Sequence, residues 1–227
     1  LEALKSNTPL DTVPSLCLRR GEEILETPPA PPLDLSRLPF CYPDLGKLRH
    51  QIVYYEASRG CPFRCTYCLS GLDRQVRINP LKQVQEELDR FLLSGVQQVK
   101  FCDRTFNCRQ GYCDAIWQYL IEHDNGVTNF HFEITAELLR EDQLSLLRTA
   151  RPGLFQFEIG VQSLNPDTLR AIRRPADWER LRRICLALHE AGNIHLHLDL
   201  IAGLPLEGYE SFSRSFDGVY SLLPDQL

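Results

Sequence analysis

The chain contains no methionine among its 227 residues. With an end at Pro224-Asp225-Gln226-Leu227 that has no obvious terminus, this gives the expectation of a piece of a longer polypeptide. No run of about 18 apolar residues is present, which excludes an ordinary membrane-spanning helix. No basic-then-apolar leader ends in small residues, which excludes a visible secretory signal. Positive charge is not in excess: 25 Lys and Arg stand against 30 Asp and Glu, for a net charge of −5. A basic face for duplex nucleic acid is therefore not expected. No repeat of solenoid length occurs either. The expectation is a soluble, cytoplasmic protein with neither a nucleic acid nor a membrane as partner.

The residues that are there, 43% hydrophobic and 24% charged, suit one larger globular domain with a sizeable core. The nine cysteines are odd in number and tightest at residues 61–68, "CPFRCTYC", spaced like a metal site and unlike a disulfide framework, so a reducing compartment fits. More than half of the fifteen prolines fall within residues 1–44. There "SLCLRR-GE-EILETP" reads as a small hairpin and "PPAPPLDLSRLPFCYPD" as an extended strap. Residues 1–48 are read as a proline-rich connector and residues 49–227 as a core domain, incomplete at its C-terminus.

From Gln51 onward strand and helix signals alternate. "IVYYEAS" precedes the helical "PLKQVQEELDRFLLSG", with apolar residues at Leu81, Val84, Leu88, Phe91 and Leu92. "VQQVKFC" precedes "RQGYCDAIWQYLIEH"; "NFHFEIT" precedes "REDQLSLLRTA"; "LFQFEIGVQ" precedes "NPDTLRAIRR" and "DWERLRRICLALHEAG"; "NIHLHLDLIAG" precedes "YESFSRSFDGVYSLL". Five strands alternating with helices imply an α/β fold with a parallel sheet and right-handed crossovers.

Three strands are polar on one face only. His131, Glu133, Thr135 and Glu137 oppose Phe130, Phe132, Ile134 and Ala136; Gln156, Glu158, Gly160 and Gln162 oppose Phe155, Phe157, Ile159 and Val161; His195, His197 and Asp199 oppose Leu196, Leu198 and Leu200. A sheet with helices on both faces would be apolar on both. The pattern fits a barrel whose lumen holds a polar ligand, a partial TIM-like (β/α)6 barrel truncated before its sixth strand.

Cys61, Cys65 and Cys68 follow the first strand, "IVYYEAS", at the edge where α/β barrels build active sites. A structural zinc site takes four protein ligands, and Cys41, His50 or a distant residue stands as a fourth. In an iron–sulfur cluster three thiolates leave one iron open to a ligand. Cys102, Cys108 and Cys113 match no ferredoxin-type spacing and read as buried thiols, with Cys108 near the site. Cys17, Cys41 and Cys185 read as ordinary.

Cys-x3-Cys-x2-Cys with the aromatic Tyr67 before the last cysteine resembles the signature of the radical S-adenosylmethionine (SAM) superfamily. Within it, "IGVQSLNPDTLRAIRR" and "DLIAGLP" resemble the oxygen-independent coproporphyrinogen oxidases, while "DRTFN" and the proline-rich connector resemble the cobalamin-binding members. The resemblance implies a [4Fe-4S] cluster on Cys61, Cys65 and Cys68 and SAM bound at the open iron. It also implies reductive cleavage to a 5′-deoxyadenosyl radical that acts on a small-molecule substrate, and an electron donor of the flavodoxin or ferredoxin type. The outcome is an oxidation or, with cobalamin on a domain upstream of Leu1, a methyl transfer. A non-catalytic metal module is the rival reading.

The resemblance further implies that Glu137 and Gln162 contact the ribose and adenosine, Arg174 the methionine carboxylate, and Asp199 the ribose side, with Tyr67 packing beside the cluster. Asp103, with Thr105 and Asn107, takes the place of a Gly-Gly-Glu type segment that receives the methionine amino group, although "FCDRTFN" has no glycine. Glu137 reads alternatively as an acid in a helix's first turn. His195 and His197 read as hydrogen-bonded lumen groups.

Overall fold

The computed structural model describes residues 2–73 and 75–227. The chain folds as two compact units, Leu1–Arg37 and Leu38–Leu227. In the first, helix α1 (Glu2–Lys5) precedes strands β1 (Cys17–Arg20) and β2 (Glu23–Glu26). Arg20 pairs with Glu23, so Gly21 and Glu22 alone make the turn, as the sequence implies. Thr27 closes the base of the hairpin: its hydroxyl accepts from the Leu16 amide at 2.8 Å and donates to the Val13 carbonyl at 2.7 Å.

The second unit contains β3 (Ile52–Tyr55), β4 (Ser58–Arg59), β5 (Arg77–Ile78), α2 (Leu81–Ser94), β6 (Gln98–Phe101), α3 (Gln110–Glu122) and β7 (Asn129–Ile134). It continues with α4 (Glu141–Leu147), β8 (Phe155–Gln162), α5 (Pro166–Ala171), α6 (Trp178–Ala191), β9 (His195–Leu200) and α7 (Tyr209–Tyr220). The main sheet is parallel with the order β3-β6-β7-β8-β9. Each crossover advances one strand in the same direction, which builds the wall of a barrel; a doubly wound sheet would reverse its order. The edge of β9 also carries a parallel bridge from His197 to Gln226.

Side-chain alternation explains the layering. On β8, Phe155, Phe157 and Ile159 are fully buried, while Gln156, Glu158, Gly160 and Gln162 are half-buried on the lumen side. The buried face packs an aromatic core. Phe132 lies 4.4 Å from Phe101, 4.3 Å from Phe106 and 6.2 Å from Phe157 between ring centroids, and Trp117 covers Phe157 at 5.7 Å.

Residues 38–48, expected within the connector, lie in the second unit. Phe40 packs on Phe91 with centroids 5.2 Å apart. The Tyr42 hydroxyl accepts from the Tyr54 amide and donates to the Tyr54 carbonyl, at 2.8 and 2.7 Å, along the outer edge of β3. One expectation fails at the end of β7. The strand stops at Ile134 and Ala136–Leu138 turn into a 3-10 helix, so Glu137 does not continue the lumen face. Among the described residues no helix is long and apolar enough to cross a membrane.

Candidate active site

Strands β4 and β5 pair antiparallel at the base of the cysteine loop, Ser58 with Ile78 and Arg59 with Arg77. Between them Gly60 has φ +104°, and a Cβ there would meet the Gln75 carbonyl oxygen at 2.5 Å, so only glycine lets the chain turn into Cys61. The loop is tied back by the Cys61 amide to the Asp73 carbonyl (3.2 Å) and by the Thr66 amide to the Ile172 carbonyl at the end of α5 (2.9 Å). Cys61, Cys65 and Cys68 are all free thiols; the first two are buried and the third half-buried.

The three cysteines line one cavity of about 180 Å³ together with Phe63 and Tyr67. Across it stand Thr105, Glu133, Glu158, Gln162, Arg174 and Asp199, brought from loops and strands far apart in sequence. Gln162 sits at a bulge with φ +73°, and its buried Oε1 has no hydrogen-bond partner among the described residues. Its side chain lies over Gly160, where a Cβ would overlap the Gln162 amide. The Arg174 guanidinium donates to the Gly160 carbonyl.

Electrostatics differentiates the carboxylates. The His131 ring, 3.0 Å from Glu158, lowers the Glu158 pKa most; burial opposes and Lys100 at 3.0 Å adds to the lowering, so the group falls to about 2. Burial raises Glu133, against the pull of Arg104 at 3.5 Å. Burial also raises Asp199, opposed by His197, whose Nε2 lies 3.1 Å from Asp199 Oδ1. Tyr67 is pushed up to about 12 by burial, with Arg174 opposing. The cavity therefore holds one firmly ionised carboxylate and two that protonate more readily.

The structure thus brings together Cys61, Cys65, Cys68, Tyr67, Gln162, Arg174 and Asp199. It places neither Asp103 nor Glu137 in that cavity, although Glu137 shares a neighbouring one with Arg174. Asp103 is buried, and its carboxylate accepts from the Ala57 amide at 3.0 Å and the Ser58 hydroxyl at 2.6 Å, which fixes the strand leading to the cysteine loop. Burial outweighs those hydrogen bonds and raises its pKa to about 7. Asn107 likewise faces the backbone: its amide donates to the Thr135 carbonyl at 2.9 Å and accepts from the Thr135 amide at 3.0 Å. Glu137 lines a neighbouring, more apolar cavity of about 410 Å³ with Leu164 and Trp178. His195 is 42% exposed and lies 4.0 Å from Asp225.

Glu133 and Glu158 were missed as site residues. The signal was present, since both lie on the polar faces of β7 and β8. Of the other cysteines, Cys113 and Cys185 are buried, and Cys102 lines a separate cavity with Cys41. Cys108 is raised to about 11, by burial first and then by Cys61, so it stays a neutral thiol at neutral pH.

The donor set fits an iron–sulfur cluster. Among the described residues no group of three or more Cys, His, Asp or Glu converges as one ion's shell. A [4Fe-4S] core would take one thiolate from each of Cys61, Cys65 and Cys68 and keep one iron open to a ligand in the cavity they line. There the partnerless Gln162 oxygen and the Arg174 guanidinium can meet the hydroxyl and carboxylate groups of a small ligand.

Comparison with known proteins agrees. Residues 55–217 match the family described as the radical SAM superfamily. The chain is 29% identical over 184 residues to the anaerobic magnesium-protoporphyrin IX monomethyl ester cyclase of Synechocystis sp., covering 77% of this chain and 36% of that protein. It is 33% identical over 105 residues to the oxygen-independent coproporphyrinogen III oxidase of Salmonella typhimurium, covering 44% of this chain and 23% of that protein. These spans are about a third or less of the relatives' own lengths. In fold it is similar to the radical SAM methyltransferase TsrM from Kitasatospora setae, solved with cobalamin and a [4Fe-4S] cluster bound. That likeness has a TM-score of 0.79 at 16% identity, over 98% of this chain and 47% of that one.

Proposed function

Because the chain belongs to the radical SAM superfamily, whose members are enzymes that use a [4Fe-4S] cluster and SAM, we propose that Cys61, Cys65 and Cys68 hold the cluster and that SAM binds against it in the cavity they line. When bound, the cluster supplies the electron that splits SAM into methionine and a 5′-deoxyadenosyl radical. Arg174 grips the methionine carboxylate, and Gln162 and Asp199 accept from the ribose hydroxyls. Glu133, half-buried and reluctant to ionise alone, takes the place foreseen for Asp103 and meets the methionine ammonium, whose charge would hold it ionised. Phe63 and Tyr67 line the cavity beside the cysteines and supply its apolar surface there.

The observation that carries this reading is the convergence of three free cysteines from one loop with a partnerless glutamine oxygen and an arginine from the opposite wall. The substrate is a small molecule entering from the lumen side, and hydrogen abstraction makes the enzyme an oxidoreductase of the coproporphyrinogen oxidase-like kind. A small flavodoxin- or ferredoxin-type protein supplies the electron. Methyl transfer through cobalamin is the second reading. It is favoured by the sequence match to the cobalamin-dependent radical SAM methyltransferase TokK of Streptomyces tokunonensis over 93% of the chain, against 44% for the match to coproporphyrinogen III oxidase.

Anaerobic reconstitution with iron and sulfide, reduction and addition of SAM tests the proposal. Release of 5′-deoxyadenosine and a changed EPR signal are expected in the wild type and lost in Cys65→Ala. A cluster that forms, yet neither cleaves SAM nor responds to it in EPR, would make the loop a non-catalytic metal module.

A further inference from the structure

We propose that Thr105 tunes the cluster: its hydroxyl donates a hydrogen bond to the Cys61 thiolate and raises the reduction potential of the iron–sulfur core. This rests on the cluster reading above and goes beyond it.

Thr105 Oγ1 lies 3.6 Å from Cys61 Sγ, within reach for a hydrogen bond to sulfur. Both residues are buried, with 4% and 8% of their surface exposed, which limits the competition from water for the bond between them. Thr105 also stands at the N-cap position of the 3-10 turn Phe106–Cys108, where a threonine hydroxyl would ordinarily bond a backbone amide, and it makes no such bond. The hydroxyl has one proton and two acceptors in range, the Arg104 carbonyl at 2.7 Å and the Cys61 sulfur.

Iron decides between them. A metal-bound cysteine has lost its proton, so between Cys61 and Thr105 only the hydroxyl can donate. A bond to an anionic sulfur is charge-assisted, whereas the carbonyl offers a neutral acceptor. Reduction adds negative charge that spreads onto the sulfurs, so a donor at sulfur stabilises the reduced core more than the oxidised one. The framework holds this donor in place. Asp103, two residues earlier, is fixed to Ala57 and Ser58, and Asn107, two residues later, is fixed to Thr135. Thr105 is a positioning and tuning residue that acts through Cys61.

The test compares reconstituted wild type with Thr105→Val, Thr105→Ala and Thr105→Ser. Iron and sulfide content and the visible spectrum report whether each carries a cluster, and an EPR-monitored redox titration gives its potential. The Val and Ala variants should hold a cluster that is about tenfold harder to reduce, a shift of ~59 mV to more negative potential for one electron. The Ser variant should titrate with the wild type. In the wild type and Ser variant an Fe–Sγ stretching band should shift in D2O, and that shift should vanish in Val and Ala. Loading by Ser but by neither Val nor Ala would also support the bond. Equal potentials in all four loaded proteins would overturn the tuning while leaving the cluster reading intact. Failure of the wild type to take up a cluster would overturn both.

Discussion

At Asp103 a carboxyl group lies buried two residues before the site, and its partners explain both its role and its titration. Its pKa of about 7 stands above the ordinary 3.8, so between those values the folded protein retains a proton that the unfolded chain releases. The stability this gives is complete at low pH and is lost as pH rises through about 7. Asp103→Asn keeps an acceptor for the Ala57 amide but cannot ionise. From pH 5 to pH 8 the wild type should lose up to about 3 kcal/mol more stability than the variant, measured by urea denaturation of both proteins. Equal losses would mean that the carboxyl is ionised throughout. The same scale shows where residue assignments were legible. Gln162 and Asp199 reach the cavity because each lies on a strand whose face the sequence displays, whereas Arg174 reaches it from the turn after α5. Glu137 does not, because the period-two rule was carried past Ile134, where the strand had already ended.

Elements follow their periodicities. Strands β7 and β8 alternate apolar and polar residues, and helices α2 and α6 repeat their apolar positions along one face, so each was readable from a short window. Their energetic weight lies in the aromatic layer. Phe132, fully buried on β7, touches the rings of Phe101, Phe106, Trp117, Phe155 and Phe157. Phe132→Ala should cost about 3–5 kcal/mol, because the cavity left among five aromatic side chains cannot close. Urea denaturation should show a lower midpoint with an unchanged slope; a cost below 1 kcal/mol would mean that this layer repacks freely. Strands β4 and β5, two residues each, escaped notice, since two residues display no period. They nevertheless form the base from which the cysteine loop springs.

Across the whole molecule, the hydrophobic core draws on residues from Leu45 onward and its rim on residues from Phe40 onward. Residues 38–227 alone should therefore unfold in one cooperative thermal transition with their helical signal retained, as followed by circular dichroism. A broad, non-cooperative melt would show that the core depends on residues 1–37. The sequence by itself determined the hairpin, the alternation of strand and helix, the polar lumen face and the three-cysteine loop, because each is written in contiguous residues or in a period of two or 3.6. Only the tertiary structure decided that Glu133 and Glu158 lie across one cavity from the three cysteines, that Asp103 braces the backbone, and that Thr105 meets Cys61. Those relations join residues 44 to 97 positions apart, and they depend on where each strand stops and how the loops above the sheet fold over one another.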